Sequence, residues 1–328
     1  MIPVLDPNPE NIRAAAMALR AGRLVAMPTE TVYGLAGNAL DPAPLARIFE
    51  VKRRPFFDPL IVHVADAAAV QPLVRDLPEG AQRLMDRFWP GPLTLVLPKS
   101  HLVPDLATSG LPEVAVRVPS HPVARALLRE TGLPLAAPSA NPFGALSPTT
   151  AEHVANAFED GIECVLDGGP SSVGVESSVL AWRNGKPALL RPGGIPVEAL
   201  EEALGVAVLV VGGDGLGAQP SPGMLPWHYA PSVPLTLSEA KAIAATTTAE
   251  NEGLLWFGDA EAPAGYARVE NLSPSGDLRE AAANLFAALH RLDASGAARI
   301  SRIRAARVPD EGLGRAINER LEKASKKT

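Results

Sequence analysis

Short apolar runs alternate with helical patterns over the first two hundred residues, and this alternation constrains the fold more than any other feature. Ile12, Ala15, Ala16 and Leu19 recur at helical spacing, and Gly22 ends that helix. The other expected helices are 44–52, 79–88, 121–130 and 150–158. The expected strands are 23–27, 61–64, 93–97, 114–118, 135–137, 164–166 and 178–182. Such a mixture predicts a large α/β domain built on a mixed sheet.

The pattern changes near residue 206, which divides the chain into parts. A glycine- and proline-rich stretch without periodicity lies within residues 206–232 and indicates a linker. Beyond it, a second α/β pattern has a strand at 254–257 and helices at 277–292 and 312–323. A segment of this length is large enough for an independent domain. We therefore expect a first domain over 1–205, a linker over 206–232 and a smaller second domain over 233–328.

Composition excludes several classes of function. The 328 residues carry a formal net charge of −6, which argues against a protein built mainly to grip nucleic acid through a basic face. Cys164 is the single cysteine, so the chain can form neither an internal disulfide nor a zinc site rich in thiolates. The N-terminus does not resemble a secretory signal, and no run approaches the ~20 apolar residues of a membrane span. We therefore expect a cytoplasmic protein that does not contact a membrane.

Four segments, 28–35, 52–63, 137–149 and 167–194, concentrate polar residues at expected strand ends and loops, where binding sites are usually built. The first holds hydroxyls, a carboxylate and a phenol, which suit a small polar substrate but could equally cap a turn. The small and polar residues of the third suit phosphate or ribose, although a plain proline-rich connection explains them as well. The glycine and serine turns of the fourth could form an anion-binding nest or a simple β-hairpin turn.

The second of these segments carries the clearest concentration of positive charge. Pro55 holds Arg54 extended and ends the preceding helix, so that Lys52 and Arg54 project from a rigid loop. This arrangement suits a triphosphate, but the two cations could also serve only to complement the negative end of the helix dipole. His63, in an apolar strand, is more typical of a hydrogen-bonded core histidine than of a ligand.

Two familiar catalytic arrangements are missing from the sequence. The six histidines are scattered, with no pair at helical spacing for a metal, and no serine stands in a nucleophile-elbow pattern with credible partners. What remains is a polar, cationic pocket without an obvious nucleophile or base. Such a site suits phosphoryl or nucleotidyl transfer, in which positioning and charge stabilisation supply most of the catalysis.

Taken in order, the motifs of the chain resemble one family. The strings that carry the resemblance are PTETVYGLAGNAL, KRRPFFDPLIVHV, FWPGPLTLVL, VAVRVPSHPVA, APSAN, GVESSV, LLRPGGI and SPGMLPWHYAP, with NLFAALHRLD and EGLGRAINERL further on. They resemble the threonylcarbamoyl-adenylate synthases of the longer type, and the resemblance covers nearly the whole chain. It implies an α/β catalytic domain whose YrdC-like twisted mixed sheet and helices surround a concave basic cavity. It also implies a smaller C-terminal α/β domain that is Rossmann-like.

The resemblance also implies a reaction. The amine of L-threonine captures bicarbonate as a carbamate, and a carbamate oxygen then attacks the α-phosphorus of ATP. Pyrophosphate leaves with the help of Mg²⁺ carried by the ATP phosphates, so neither a metal site on the protein nor a tightly bound organic cofactor is expected. The threonylcarbamoyl-adenylate passes to a partner transferase complex that modifies adenosine in tRNA. The expected contact with tRNA itself is at most weak.

By motif position, the resemblance assigns roles to individual residues. Lys52 and Arg54 are the expected catalytic residues. The expected ATP-binding residues are Lys52, Arg54, Asp58, Ser139, Asn141, Ser147, Arg191, His228 and Tyr229. The expected threonine-binding residues are Thr31, His63, Arg117, Ser139 and Ser178. His228 and Tyr229, in the linker, are expected to act as a lid that keeps water from a hydrolysable intermediate.

Four positions depart from the family pattern. Asp58 stands where the family commonly has asparagine, and its carboxylate would repel phosphates unless magnesium or Arg54 compensates. Phe143 replaces a frequent serine, and Ser178 replaces a common threonine but keeps the hydroxyl. Residues 225–227 replace a more basic stretch and put lid contacts to phosphate in doubt.

Two other functions remain open at this point. A non-catalytic RNA-binding module could use the same concave basic surface, although the acidic balance of the chain counts against it. A related carbamoyl-transfer enzyme could act on another amine, and its nucleotide chemistry would then be indifferent to threonine.

Overall fold

Two β-sheets organise the computed structural model, which describes residues 2–211, 228–244, 250–294 and 300–326. The strands of the larger sheet are β1 (Val4–Leu5), β2 (Val25–Met27), β3 (Gly34–Asn38), β4 (Ile61–His63), β5 (Leu93–Pro98), β6 (Glu113–Arg117), β7 (Leu135–Ala136), β8 (Val165–Leu166), β9 (Ser178–Arg183), β10 (Lys186–Arg191) and β11 (Leu209–Val210). Their spatial order is β1-β8-β2-β3-β7-β4-β6-β5-β9-β10-β11, with both parallel and antiparallel pairs. The mixed α/β sheet expected from the sequence is therefore confirmed.

The smaller sheet belongs to the second half of the chain. Its strands are β12 (Leu235–Ser238), β13 (Glu252–Trp256), β14 (Arg268–Asn271) and β15 (Arg302–Ala306). They lie in the order β12-β15-β13-β14, and every pair is parallel. A parallel sheet with helices against it is the arrangement expected for a Rossmann-like domain.

The helices begin where local sequence provides start signals. They are α1 (Pro9–Arg20), α2 (Pro42–Lys52), α3 (Ala81–Phe88), α4 (Pro122–Thr131), α5 (Ala151–Ala157), α6 (Val197–Leu204), α7 (Ala240–Ala244), α8 (Leu278–Asp293) and α9 (Gly314–Ser325). Asn8, Asp41 and His121 cap α1, α2 and α4 through their side chains, each just before a proline at the first turn. Within the described residues, each helix is too short or too polar to cross a bilayer.

Strand β3 was not expected from the sequence, because glycine is unfavourable inside a strand. Gly37 is closely packed there: a Cβ at this position would lie 2.9 Å from Leu24 Cδ2 and 3.1 Å from Ile48 Cδ1. The strand pairs antiparallel with both β2 and β7 and brings the segment 28–35 beside the segment 137–149. Two of the four polar segments therefore meet through a strand that sequence patterning does not reveal.

The segment assigned to the linker begins with an ordered element. Leu209–Val210 forms β11, which pairs parallel with β10 at the edge of the larger sheet. Residues 212–227, which include the departure at 225–227, lie outside the described residues. The chain returns at His228, and Ala230 forms a parallel bridge with Ala145 of the first domain. The division at 206–232 stays a prediction.

The two sheets are joined by a shared apolar core. Val32, Leu146 and Val175 of the first domain pack in one buried cluster with Tyr229 and with residues of α8 and the smaller sheet. Gly174 brings its loop onto α8 so closely that a Cβ there would lie 2.4 Å from the carbonyl oxygen of Ala282. The contact therefore requires glycine for space as well as for its φ of +74°.

Replacing Gly174 with alanine is expected to lower the free energy of unfolding by about 2–4 kcal/mol, since the new methyl group meets a backbone that cannot move away. Gly132→Ala is the matched control, because Gly132 has a similar φ of +66° but open space around it. It should cost only about 1–2 kcal/mol. Urea unfolding of the two variants measures the difference, and equal losses would show that the loop does not press on α8.

Candidate active site

A cleft lies where the polar segments of the first domain converge. Of the residues expected in the site, those that line the cleft are Thr31, Arg54, His63, Arg117, Ser139, Arg191, His228 and Tyr229. The space between the lining residues, with the solvent at the open mouth included, is about 540 Å³. The other expected residues adjoin the lining without forming it: Lys52, Asp58, Asn141, Ser147 and Ser178.

Arg117 dominates one end of the cleft. Its Nη2 atom lies 2.7 Å from Glu30 Oε1, its Nη1 donates to Thr31 Oγ1 at 2.9 Å, and its Nε donates to the carbonyl of Gly91 at 3.2 Å. Burial alone would raise the pKa of the Glu30 carboxyl, but the charge and hydrogen bond of Arg117 hold that pKa below its ordinary value. This end therefore offers a guanidinium that is fixed in place by a buried carboxylate.

His63 lies beside this guanidinium, because β4 and β6 are parallel and place His63 opposite Arg117 in register. Burial and the charge of Arg117 lower the pKa of His63 to about 3. The ring is therefore neutral at physiological pH and can make hydrogen bonds without adding charge to the cleft.

The depressed pKa of His63 predicts a stability loss in acid. In the unfolded chain the ordinary pKa is about 6.5, so between about pH 6.5 and pH 3 the unfolded state binds a proton that the folded state excludes. The stabilisation is complete above about pH 6.5, and about 2 kcal/mol should be lost on going from about pH 7.5 to pH 5. Urea unfolding should show a weaker pH dependence in His63→Asn than in the wild type. The exposed His101→Asn serves as control, and an unchanged dependence in His63→Asn would contradict the assignment.

Arg54, which also lines the cleft, forms a second buried pair with Asp58. Arg54 Nη2 lies 2.8 Å from Asp58 Oδ2 and also donates to the carbonyl of Pro59 at 2.8 Å, while Nε donates to the carbonyl of Asp58 at 3.0 Å. Burial raises the pKa of Asp58, and the adjacent Arg54 charge opposes that rise. The negative charge of Asp58, the residue that departs from the family pattern, is therefore paired with the positive charge of Arg54.

Lys52 is buried and joins the end of α2 to the loop after β7. Its ammonium group donates to the carbonyl oxygens of Ser139 and Asn141, and the amide of Phe143 donates to the carbonyl of Lys52 at 2.8 Å. Burial and the neighbouring Arg54 charge lower the pKa of Lys52. In this arrangement Lys52 fixes the loop that carries Ser139, and its expected catalytic role stays a prediction.

The hydroxyl groups of Ser178 and Ser147 form hydrogen bonds with other groups of the protein. Ser178 Oγ donates to the carbonyl of Ile195 at 2.6 Å and accepts from the Ile195 amide at 2.9 Å, so it fixes the turn after β10. Ser147 Oγ donates to Glu176 Oε1 at 2.6 Å. Both hydroxyls therefore shape loops that border the cleft, and their expected ligand contacts stay predictions.

Sequence reasoning missed two buried side chains at the cleft, Glu176 and Arg320, although it did expect Arg191. Glu176 lines the cleft and accepts from both Ser147 and Arg320, a residue of α9 that lies 144 positions later. Arg191, also in the lining, donates through Nε and Nη2 to the carbonyl of Ser177 at 3.1 and 2.9 Å. Glu176 stands inside the matched string GVESSV, which could have singled it out, whereas no local signal pairs it with Arg320.

His228 and Tyr229 close the cleft from the side of the second domain. Both are buried, their rings are 4.2 Å apart, and the amide of Ala230 donates to the carbonyl of Gly144 at 2.9 Å. Phe143 packs edge-on against His228 with 5.5 Å between ring centroids, so this departure from the family adds an apolar contact. Burial and the charges of Arg54 and Lys52 lower the pKa of His228, so its ring is neutral. The role of this segment as a lid stays a prediction.

No metal centre accompanies this site among the described residues, where no group of three or more histidine, cysteine, aspartate or glutamate side chains could hold an ion.

The fold and the cleft define a class of α/β proteins with two sheets and a cation-lined cleft. Residues 17–193 match the model of the Sua5–YciO–YrdC family, described as telomere recombination, and residues 195–326 match the C-terminal domain of threonylcarbamoyl-AMP synthase. The chain belongs to this family, in its two-domain form.

Individual relatives resemble the chain over nearly its whole length. A threonylcarbamoyl-AMP synthase of Pyrococcus abyssi is 44% identical over 96% of this chain and 94% of its own length. A threonylcarbamoyl-AMP synthase of Bacillus subtilis is 42% identical over 98% of this chain and 94% of its own. The crystal structure of P. abyssi Sua5 complexed with L-threonine superposes with a TM-score of 0.88 at 42% identity, covering 98% of this chain and 96% of that one. The architecture expected from the resemblance is thus confirmed.

Proposed function

We propose that the protein is a threonylcarbamoyl-AMP synthase, a nucleotidyltransferase that makes threonylcarbamoyl-adenylate and pyrophosphate from ATP, L-threonine and bicarbonate. The observation that carries the proposal is that three guanidinium groups line one cleft: Arg117, which is paired with Glu30, and Arg54 and Arg191, whose charges are close enough to interact. A carboxylate and a polyphosphate are the ligand groups that such guanidinium groups suit best. The relatives named for this activity match both domains.

The threonine end would hold the amino acid through its carboxylate and hydroxyl. The guanidinium of Arg117 is already oriented by Glu30 and Thr31, so little ordering is required when the carboxylate binds. Because His63 is neutral, it adds no positive charge that would repel the amine of threonine. The amine attacks the carbon of bicarbonate and forms a carbamate with loss of water.

The nucleotide end would hold MgATP, with the metal arriving on the phosphates as part of the substrate. A carbamate oxygen attacks the α-phosphorus and forms a new P–O bond, while the bond to the β-phosphate oxygen breaks and pyrophosphate leaves. Arg54 and Arg191 would stabilise the negative charge that develops on the transferring phosphoryl group. The protein supplies no nucleophile, and catalysis rests on the alignment of the two substrates.

The lid would protect the product. The mixed anhydride between the carbamate and AMP reacts with water, so closure by His228 and Tyr229 preserves it until release. We propose that a tRNA-modifying transferase complex in the cytoplasm then receives it.

The test is pyrophosphate release from MgATP with threonine and bicarbonate omitted in turn, together with mass spectrometry of the nucleotide products. Release that needs both, with threonylcarbamoyl-adenylate detected, is the expected result. Release that is indifferent to threonine would replace the proposal with carbamoyl transfer to another amine. Salt-dependent tRNA binding without any turnover would replace it with an RNA-binding module.

A further inference from the structure

Arg320 is a cation of the second domain that is buried against the first. It lies on α9, its side chain is 0% exposed, and it is among the largest fully buried side chains of the described residues. A buried cation is unfavourable unless it is paired and hydrogen-bonded, so the partners of Arg320 indicate which parts of the structure it stabilises.

Those partners border the cleft. Arg320 Nε donates to Glu176 Oε2 at 2.9 Å, and Nη1 donates to the carbonyl of Pro192 at 2.6 Å. The guanidinium carbon lies 5.3 Å from the centre of the Tyr229 ring, within the range of a cation–π contact. Glu319, its neighbour on α9, supplies a second carboxylate. One side chain of the second domain thus contacts a wall of the cleft, the turn after Arg191 and the lid.

Glu176 is the partner whose charge matters most for an anionic ligand. It lines the cleft, accepts the hydroxyl hydrogen of Ser147, and lies among Arg320, Arg191 and Tyr229. Burial alone would raise the pKa of Glu176, but the charges of Arg320 and Arg191 and the bond from Ser147 hold that pKa below its ordinary value. Without Arg320, a less compensated carboxylate would face the polyphosphate of the nucleotide.

We propose that Arg320 is a positioning residue for nucleotide binding, through which the second domain sets one wall of the cleft. It neutralises Glu176, keeps this carboxylate turned so that it accepts from Ser147, and anchors the ring of Tyr229. Arg320 itself does not line the cleft and acts through these residues. The inference rests on the proposed function, because it takes the nucleotide to be ATP.

The test compares Arg320→Met, Glu176→Gln and the double variant with the wild type. In Arg320→Met we expect KM for ATP to rise by about 30-fold or more, with a smaller change in kcat, since an anion is repelled by a carboxylate that has lost its partner. The deficit should shrink as the pH is lowered, because the loss of Arg320 raises the pKa of Glu176 and makes this carboxylate easier to protonate. Glu176→Gln in the double variant should return KM to within about threefold of the wild type, because the glutamine still accepts from Ser147 and carries no charge.

The matched control is Arg315→Met, in the same helix. Arg315 also pairs across the domain boundary, with Glu198 of α6, but both side chains are partly exposed and neither lines the cleft. Its loss should leave KM for ATP unchanged. If Arg320→Met lowers kcat and thermal stability without changing KM, and Glu176→Gln does not rescue it, the role is merely structural and the proposal is overturned.

Binding of a non-hydrolysable ATP analogue, followed by calorimetry, separates this inference from the proposed function. A wild type that binds the analogue but makes no threonylcarbamoyl-adenylate would contradict the proposed function, while the weaker binding of Arg320→Met and its rescue would still support the positioning role. Equal binding by Arg320→Met and the wild type would overturn the role of Arg320 whatever product forms. A wild type that binds no analogue would overturn both.

Discussion

Replacing Arg54 with alanine is expected to reduce the rate of pyrophosphate release by about 10³-fold, the loss typical of removing one group that stabilises developing charge. Arg54 is the lining cation whose guanidinium is held by an acidic side chain and two carbonyl groups, so it is already aligned when the nucleotide binds. The variant will also be less stable, by about 3–5 kcal/mol, because Asp58 is left buried without its partner. Activity and stability must therefore be measured together.

The double variant Arg54→Ala/Asp58→Asn separates the two effects. Removing the stranded carboxylate should restore most of the unfolding free energy but none of the turnover. Asp58→Asn alone is the control, and it should keep turnover near the wild-type rate because Arg54 remains. Near-normal turnover in a folded Arg54→Ala/Asp58→Asn protein would rule out a phosphate contact through Arg54.

The second large effect is expected at Arg117. In Arg117→Met/Glu30→Gln the ion pair is replaced as a unit, so that no charge is left buried and the fold should persist. The value of kcat/KM for threonine should fall by about 10²–10³-fold, as for the loss of a buried charged hydrogen bond. The affinity for an ATP analogue, which we propose to bind through Arg54 and Arg191, should change by less than about threefold.

Glu30→Gln alone is the matched control for this prediction. It keeps the guanidinium and its bond to Thr31, so threonine should still bind, with a modest loss from the weaker orientation of Arg117. Steady-state kinetics with threonine varied at saturating ATP supply the measurement. If the double variant loses ATP binding and threonine binding equally, Arg117 would be part of the general architecture of the cleft and not a threonine contact.

The sequence could predict the parts of the site that depend on strand pattern. His63 and Arg117 stand next to the last residues of two runs that were expected to be strands, and parallel pairing of β4 with β6 brings them side by side. The place of Arg54 in a rigid loop could be predicted from the end of the preceding helix and from Pro55. These are local signals, because hydrophobic periodicity and proline geometry are properties of neighbouring residues.

Other features depend on contacts that no local pattern encodes. Because β3 contains Gly34 and Gly37, its sequence does not indicate a strand, yet this strand joins two of the polar segments. Lys52 was expected to project towards a ligand, but its ammonium group is used by the carbonyls of Ser139 and Asn141. Glu176 and Arg320 meet only because α9 packs on the first domain. Sequence spacing is uninformative about such pairs, since tertiary packing alone brings them together.

The pairing of Glu176 with Arg320 has a consequence for the order in which the protein becomes active during its synthesis. The ribosome makes the larger sheet first, and domains generally fold as they emerge, at about 5–20 residues per second. Until α9 follows 144 positions later, the newly folded first domain holds Glu176 without its partner guanidinium. We expect a nascent chain in this state to bind ATP poorly, so that the reactive adenylate is not made before the lid and its anchor exist to retain it.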